Sequence, residues 1–294
     1  MIAQIPVQTM VIFPHCKINL GLNIICKRAD GYHDIETVFY PVQIHDALEI
    51  IGENQTIQND DIFFSASGIP VSTAADNLCV KAWEILKNDF PQLPSLKMHL
   101  YKAIPLESGL AGGSSDGAFT LLLLNKKFQL NLSEEKLIAY ALKLGSDCPF
   151  FIINKPCFAE GRGELMQTIG MDLSSYKLLI VNPGIRINTR WAFSQIQPAA
   201  PLKRITDIIA QPLETWKEEL VNDFEKPIMK FYPELNNIKE LLYTNGASYA
   251  SMSGSGSTFF GIFPQSMKNI SDLFPKSYFV KEVIHEPLIR INIS

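Results

Sequence analysis

A run of three glycines and three serines, Pro105-Leu106-Glu107-Ser108-Gly109-Leu110-Ala111-Gly112-Gly113-Ser114-Ser115-Asp116, leads directly into Gly117-Ala118-Phe119-Thr120-Leu121-Leu122-Leu123-Leu124. The second stretch is almost wholly apolar and reads as a buried helix. A strand over Leu96–Lys102 delivers the chain to the run. Glycines let a backbone approach a ligand with no Cβ in the way. At the start of a helix, free N–H groups and the positive end of the helix dipole converge on one point. The segment is therefore suited to an anion, and it points to phosphate carried on a nucleotide.

Three familiar phosphate loops do not fit. The P-loop ends in a Lys-Ser/Thr pair that reaches the outer phosphates, whereas Gly113 is followed by Ser114-Ser115-Asp116. The dinucleotide fingerprint needs Gly-x-Gly-x-x-Gly spacing, and Gly109, Gly112 and Gly113 do not have it. The protein-kinase loop is followed by Val-Ala-Ile-Lys and later His-Arg-Asp, neither of which occurs. On this segment alone, an ordinary Gly/Ser connection between strand and helix stays open.

Composition narrows the class. The 294 residues are enough for one large domain or two medium ones. With 47% hydrophobic and 19% charged residues, a sizeable core needs no metal or disulfide staple. The net charge of −4, with acids and bases evenly spread, argues against a nucleic-acid surface. Any pocket for an anionic substrate must then be locally basic. The five cysteines (Cys16, Cys26, Cys79, Cys148 and Cys157) are odd in number, scattered and without Cys-x-x-Cys spacing. Reduced thiols in a cytoplasmic protein are expected. Residues 1–13 have no basic start and no small-residue cleavage site. No apolar run reaches the ~18 residues of a membrane span.

Strands are expected over 17–25, 34–42 and 47–51, with a turn at Arg28-Ala29-Asp30-Gly31. Residues 75–88 read as a helix with Val80, Trp83 and Leu86 on one face and Asp76 in its first turn. Ser133 can N-cap another, with Glu134 and Glu135 in its first turn, Leu137, Ile138, Ala141 and Leu142 on its apolar face, and Gly145 at its end. Residues 176–182 form a near-continuous apolar strand broken by Pro183-Gly184, and 195–213 read as irregular. Helices are expected over 213–222 and 234–244, the second closed by Asn245-Gly246. A strand pair over 247–252 and 258–263 flanks a second glycine-rich loop, and 278–284 is the last strand. Strands and helices mix without regular alternation, which favours an α+β fold of two domains meeting near residue 165.

Three more segments stand out. Lys17-Ile18-Asn19-Leu20-Gly21-Leu22 puts a lysine in an apolar strand, costly to bury unless paired, although an edge strand would explain it too. Leu144-Gly145-Ser146-Asp147-Cys148-Pro149-Phe150-Phe151 places Asp147 where it could be only a helix cap. Ser253-Gly254-Ser255-Gly256-Ser257-Thr258-Phe259-Phe260-Gly261 could be only a hairpin turn. Together they resemble the GHMP superfamily of small-molecule kinases, from about Lys17 to the last strand. The glycine loops are shared across that superfamily. Lys17-Ile18-Asn19-Leu20 followed by Asp30-Gly31-Tyr32-His33, and the Gly-Ser-Asp-Cys-Pro-Phe-Phe run from Gly145, resemble the branch acting on a cytidine-diphospho sugar alcohol.

The resemblance implies a two-domain α+β fold. A ribosomal-protein-S5-like N-terminal domain (1–165) would carry the ATP and substrate sites, and a ferredoxin-like α/β sandwich (166–294) would follow. It implies ATP and Mg²⁺ as cofactors and a small-molecule alcohol as substrate, with monomer and homodimer both open. By motif, Asp147 is the base that accepts the hydroxyl proton. Lys17 keeps Asp147 ionised and offsets charge on the transferring phosphoryl. Pro105, Leu106, Glu107, Ser108, Gly109, Leu110, Ala111, Gly112, Gly113, Ser114 and Ser115 would cradle the ATP phosphates, the last two also offering hydroxyls. Asn77 and Lys102 match adenosine contacts. Tyr32 and His33 resemble a cytidine pocket, with Phe193 stacking opposite Tyr32, Thr189 on the same wall and Asn19 on the sugar alcohol or diphosphate. The chain departs from the family where Glu107 and Ser108 replace glycine or alanine and where Ala111 replaces a glycine. Glu107 is expected to point out of the site. Two alternatives remain: a homoserine- or mevalonate-type GHMP kinase, against which Tyr32, His33 and Phe193 argue, and a non-catalytic binder, against which the retained Lys17 and Asp147 argue.

Overall fold

A computed structural model describes residues 9–52, 62–71 and 74–284. The reading of 1–13 as leader-free falls largely on residues outside that range. The chain runs through β1 (Met10–Ile12), β2 (His15–Lys27), β3 (His33–His45), β4 (Ala47–Gly52), β5 (Ile62–Gly68), α1 (Leu78–Asp89), β6 (Leu96–Lys102), α2 (Gly112–Lys127), α3 (Glu134–Leu144) and α4 (Cys148–Ile153). It continues through β7 (Cys157–Glu160), β8 (Leu165–Thr168), β9 (Tyr176–Asn182), α5 (Thr189–Ser194), α6 (Ile205–Ile209), α7 (Trp216–Glu219), α8 (Glu225–Phe231), α9 (Glu234–Thr244), β10 (Tyr249–Met252), β11 (Phe259–Pro264) and β12 (Phe279–Ile284).

Three four-stranded sheets form, in the orders β1-β4-β6-β5, β2-β3-β7-β8 and β10-β11-β9-β12. All pairings are antiparallel except β5 with β6. The first sheet packs Leu48, Ile50, Leu96 and Met98 against Leu121–Leu124 of α2, which α1, α3 and α4 surround. That enclosure explains why α2 is apolar nearly all round. A second core joins Ile18, Leu20, Val38 and Tyr40 to Ile180, Phe260 and Ile262 of the third sheet. The other face of that sheet is covered by Ile228, Leu235 and Leu242. No helix among the described residues is long and apolar enough to cross a membrane. All five cysteines are free thiols.

β2 lies at the edge of its sheet, yet its first ten residues are buried. Its outer edge is completed by distant segments. Lys17 N donates to Leu110 O at 3.1 Å, and Asn19 N to Ser253 Oγ at 3.2 Å. Leu22 N donates to Val221 O and accepts, through its carbonyl, from Asp223 N, both at 2.9 Å. Ile24 N donates to Asp223 Oδ2 at 2.7 Å. The glycine loop and the C-terminal half are thereby fastened to one strand.

Several expectations change. α2 begins at Gly112, so Gly112–Asp116 form its first turns rather than a loop. The helix expected over 213–222 shrinks to a 3-10 turn and the single turn of α7, because residues 221–223 are drawn into pairing with Leu22. A helix cannot also present its backbone to a strand edge. Strands β5, β7 and β8 were not expected, and a division between residues 165 and 166 would cut β8 after its first residue. Ser133 caps α3 as expected, accepting from Lys136 N at 3.4 Å.

Candidate active site

A cleft of about 930 Å³ opens where the glycine loop, β2, α4 and the Ser253–Ser257 loop meet. Ala111 adopts left-handed geometry (φ 55°, ψ 29°) and caps α2 without a side-chain hydrogen bond. The first helical bond is Ser115 N to Ala111 O at 3.0 Å. The N–H groups of Gly112, Gly113 and Ser114 therefore precede the helical ladder and stand at the positive end of its dipole. A Cβ at Gly113 would meet nothing within 4 Å, so the space over this helix end is open. That geometry fits a polyphosphate. Gly109 is different: at φ +80°, its Cβ would lie 2.0 Å from Ser253 O. The two glycine-rich loops are in backbone contact, joined by Ser253 Oγ donating to Gly109 O (2.8 Å) and Thr258 N donating to Ser108 O (3.2 Å).

Lys17 is 4% exposed and sits in this cleft. Its Nζ donates to Asn19 Oδ1 at 2.7 Å, lies 3.6 Å from Asp147 Oδ2 and stands 4.3 Å from the Phe39 ring centroid. Burial lowers its pKa, and the Asp147 carboxylate opposes that shift. Asp147 occupies the N-cap position of α4 but makes no side-chain cap bond. Its carboxylate instead faces Lys17 with a third of its surface open to the cleft. The cap-only reading of Asp147 is thereby set aside.

Asn19 is fixed from two sides. Its Nδ2 donates to Thr37 Oγ1 at 3.0 Å, and Thr37 Oγ1 donates to Gly21 O at 2.5 Å. The amide lines the cleft, and its hydrogen bonds orient Lys17.

The remaining expected residues divide. Asn77, Pro105, Leu106, Glu107, Ser108, Gly109, Ala111, Gly112, Gly113, Ser114, Thr189 and Phe193 line the cleft. Leu110 and Ser115 turn inward: Leu110 is fully buried, and Ser115 Oγ donates to His15 O at 2.5 Å. Ser115 offers no hydroxyl to a phosphate, because a residue one turn into α2 faces the strand it packs on. Ser108 Oγ is held by Pro105 O at 2.7 Å. Asn77 Oδ1 caps α1 by accepting from Cys79 N at 2.9 Å. Glu107 is exposed at the cleft rim with φ 49°. Lys102 reaches the cleft floor, but its ammonium is clasped by Asp46 and by Asp116 at 2.7 Å. Burial works to lower its pKa, and the two carboxylates outweigh it, so the net shift is upward. Burial also drives the Asp116 carboxyl well above its usual range, against the pull of Lys102. Asp46 Oδ1 further accepts from Ala103 N and Ile104 N at 2.6 and 2.9 Å. Lys102 thus ties the strand entering the glycine loop to the helix leaving it, and its ammonium is not free for adenosine.

Tyr32 and His33 do not line the cleft among the described residues, and the expected Tyr32–Phe193 pair is replaced. Phe193 stacks on His33 (centroids 4.7 Å apart, planes at 12°), while the Arg162 guanidinium lies 4.9 Å from the Tyr32 ring. Tyr32 is 56% exposed on the turn after β2. Burial, then Lys27, lowers the His33 pKa, which leaves a neutral imidazole at pH 7. Thr189 Oγ1 and Ser255 Oγ lie 3.2 Å apart, joining this wall to the second glycine-rich loop.

Sequence reasoning missed Thr37, Asp46, Arg162, Arg186 and Asn222. Arg162 and Arg186 line the cleft and supply the local positive charge that the acidic chain required. Asn222, buried, donates to Met252 O at 2.7 Å and Gly254 O at 2.9 Å. None of the five carries a local motif: Thr37, Asp46 and Asn222 act through partners distant in sequence, Arg162 is paired locally with Glu164 at 3.2 Å, and the fold alone brings the two arginines to the cleft.

Residues 77–155 match the family GHMP kinases N terminal domain, and 205–278 match GHMP kinases C terminal. A 4-diphosphocytidyl-2-C-methyl-D-erythritol kinase of Bacteroides fragilis (strain YCH46) is 50% identical over 263 residues, covering 88% of this chain and 94% of that protein. A protein of the same name from Chlorobium chlorochromatii (strain CaD3) is 35% identical over 254 residues, covering 84% and 86%. A crystal structure of 4-(cytidine 5'-diphospho)-2C-methyl-D-erythritol kinase superposes with a TM-score of 0.74 at 29% identity, covering 86% of this chain and 90% of that one. The mevalonate kinase of Methanococcus jannaschii shares the fold (TM-score 0.68, 13% identity, 94% and 98% covered).

Proposed function

The chain belongs to the GHMP kinase family, and on that premise we propose that it phosphorylates the 2-hydroxyl of 4-diphosphocytidyl-2-C-methyl-D-erythritol with ATP, a step in non-mevalonate isoprenoid precursor synthesis. The observation that carries this reading is the Lys17–Asp147 pair, 3.6 Å apart in the cleft that opens at the N-terminus of α2.

ATP supplies the phosphoryl group. The N–H groups of Gly112, Gly113 and Ser114 bind its phosphates at the dipole end of α2. No group of three or more His, Cys, Asp or Glu able to hold a metal occurs among the described residues. Mg²⁺ would be carried in on the triphosphate, as this ion commonly is, and Ser114, which lines the cleft, would be the loop residue placed to hold it and offset the phosphate charge. The substrate hydroxyl oxygen attacks the γ-phosphorus, the bond to the β-phosphate bridging oxygen breaks, and Asp147 takes the hydroxyl proton. A carboxylate beside an ammonium is a weak base, which suits a reaction governed by positioning and charge stabilisation. Lys17, oriented by Asn19, stands 3.6 Å from Asp147 and faces the negative charge on the transferring group.

Arg162 and Arg186 meet the substrate diphosphate, and Phe193 meets the cytosine from the cleft wall with His33 stacked behind it, while Tyr32, outside that wall, has to turn toward the base to join them. The His33–Phe193 stack supports this assignment because it presents two parallel rings beside the cleft. Asn77 faces the adenosine. The two domains meet near residue 165, at β8, and the free thiols suit a cytoplasmic protein. ADP release is measured with Mg·ATP and, in parallel, with the cytidine substrate, homoserine and mevalonate. Turnover with the first alone is expected. Turnover with another alcohol in its place overturns the substrate, and ATP binding without any turnover overturns the reaction.

A further inference from the structure

A second cavity, of about 960 Å³, lies on the other side of residues 222–224 from the catalytic cleft. Its volume is that of a small-molecule site. It is bounded by β2, by residues 195–208 and by the chain from α7 to α8. Much of its wall is apolar, from Ile196, Leu202, Ile205, Ile208, Val221 and Pro227.

Two observations say what it would hold. Asn23 lines the cavity from β2 and is 5% exposed, yet its side-chain amide has no hydrogen-bond partner among the described residues. Neither of its amide atoms is sealed off from solvent, so the group opens onto the cavity and is available to whatever fills it. Lys226 and Lys230 also line the cavity, without an ion-pair partner among the described residues. They are one turn apart on α8 and so share a face. Of the other charges, Lys203 pairs with Glu219 at 2.6 Å, while Asp223, whose carboxylate accepts from Ile24 N, and Glu218 are the acidic groups left in the wall.

We propose that this cavity binds a phosphate ester of an apolar alcohol. The two ammonium groups match a phosphate, which carries close to two negative charges at neutral pH. The Asn23 amide donates to a phosphate oxygen, and the hydrocarbon lies along the apolar wall. Asn222 links this site to the cleft, since it lines the cavity while holding the carbonyls of Met252 and Gly254, and Gly254 lines the cleft. The site does not depend on which alcohol the cleft phosphorylates.

The test uses hexyl phosphate as probe, titrated into full-length ¹⁵N-labelled protein, with inorganic phosphate and hexanol as separate arms. The expected result is a saturable shift of the Asn23 side-chain amide and of the Gly254 amide. Affinity should be at least about tenfold tighter than for either fragment and unchanged by saturating ADP. Asn23→Ala and the Lys226→Ala/Lys230→Ala double variant, with unaltered circular dichroism, should each weaken binding by about tenfold or more. Absence of a saturable shift at Asn23, equal affinity for phosphate alone, full affinity in the lysine variant, or displacement by ADP would each overturn the site.

Discussion

Replacing Thr37 by valine keeps the shape of the side chain and deletes its hydroxyl. That hydroxyl donates to Gly21 O at 2.5 Å and accepts from Asn19 Nδ2 at 3.0 Å, and Thr37 is fully buried. The substitution leaves one carbonyl and one amide unpartnered in the interior, at about 1–3 kcal/mol each, so the chain should lose about 2–6 kcal/mol of stability. A fold with a typical stability of about 5–15 kcal/mol survives that loss. The functional effect travels through Asn19. Once free to rotate, its Oδ1 no longer fixes Lys17 Nζ at 2.7 Å, and the ammonium keeps only the longer contact to Asp147. If about half of the lost energy is felt in the transition state, kcat falls by about 10–100-fold. KM for ATP holds, because Thr37 touches no part of the glycine loop. Steady-state kinetics with a urea melt on the same sample separates the two effects. Thr37→Ser restores both hydrogen bonds and should recover kcat. A destabilised Thr37→Val enzyme with wild-type kcat, or a serine variant as slow as the valine one, would refute Thr37 as a positioning residue.

Gly109→Ala should cost about 2–5 kcal/mol, from left-handed geometry and from a Cβ 2.0 Å from the Ser253 carbonyl oxygen; a urea midpoint within error of wild type would contradict the loop contact. Lys102→Met leaves Asp46 and Asp116 buried together without their cation and should destabilise by about 3–5 kcal/mol; a variant that is stable but has lost ATP affinity would instead return Lys102 to the nucleotide. In Asp147→Asn the Lys17 ammonium loses the charge that opposes its burial, so it should titrate at lower pH than in wild type, followed by NMR of ¹³C-labelled lysine; an unmoved titration would dissolve the pair. Because the folded-state pKa of Lys17 already lies below its ordinary 10.5, the unfolded chain binds more protons between those two values. This group's contribution to stability therefore rises with pH across that window, while activity falls as the ammonium is lost. Tyr32→Ala should raise KM for the cytidine substrate, with base stacking contributing about 1–3 kcal/mol, and an unchanged KM would remove Tyr32 from the pocket.

Features written in consecutive residues were legible beforehand. The open, uncapped helix start at α2 followed from glycines ahead of an apolar helix, and Ser133 behaved as its local pattern required. The Lys17–Asp147 pair was legible only by resemblance, since 130 positions separate the two and neither segment names the other. What stayed hidden depends on tertiary pairing. Nothing in 213–222 says that its last residues will leave a helix to bond Leu22. Lys102 looked like a cation available to a ligand because Asp46, the acid that claims it, lies 56 residues away. Ser115 looked like a phosphate ligand while the start of α2 was placed too late, and moving the helix back to Gly112 turns its hydroxyl inward.

The open edge of β2 makes the order of synthesis matter. When the ribosome has released residues up to Thr168, Lys17, Asp147 and the glycine loop all exist. The groups that finish that strand at Asn19, Leu22 and Ile24 have not yet been made. Such a fragment shows a bare strand edge, a template for pairing with other chains, with a lysine set into it of the kind that discourages such pairing. The brace that Ser253 gives the phosphate loop arrives only with the last sixth of the chain.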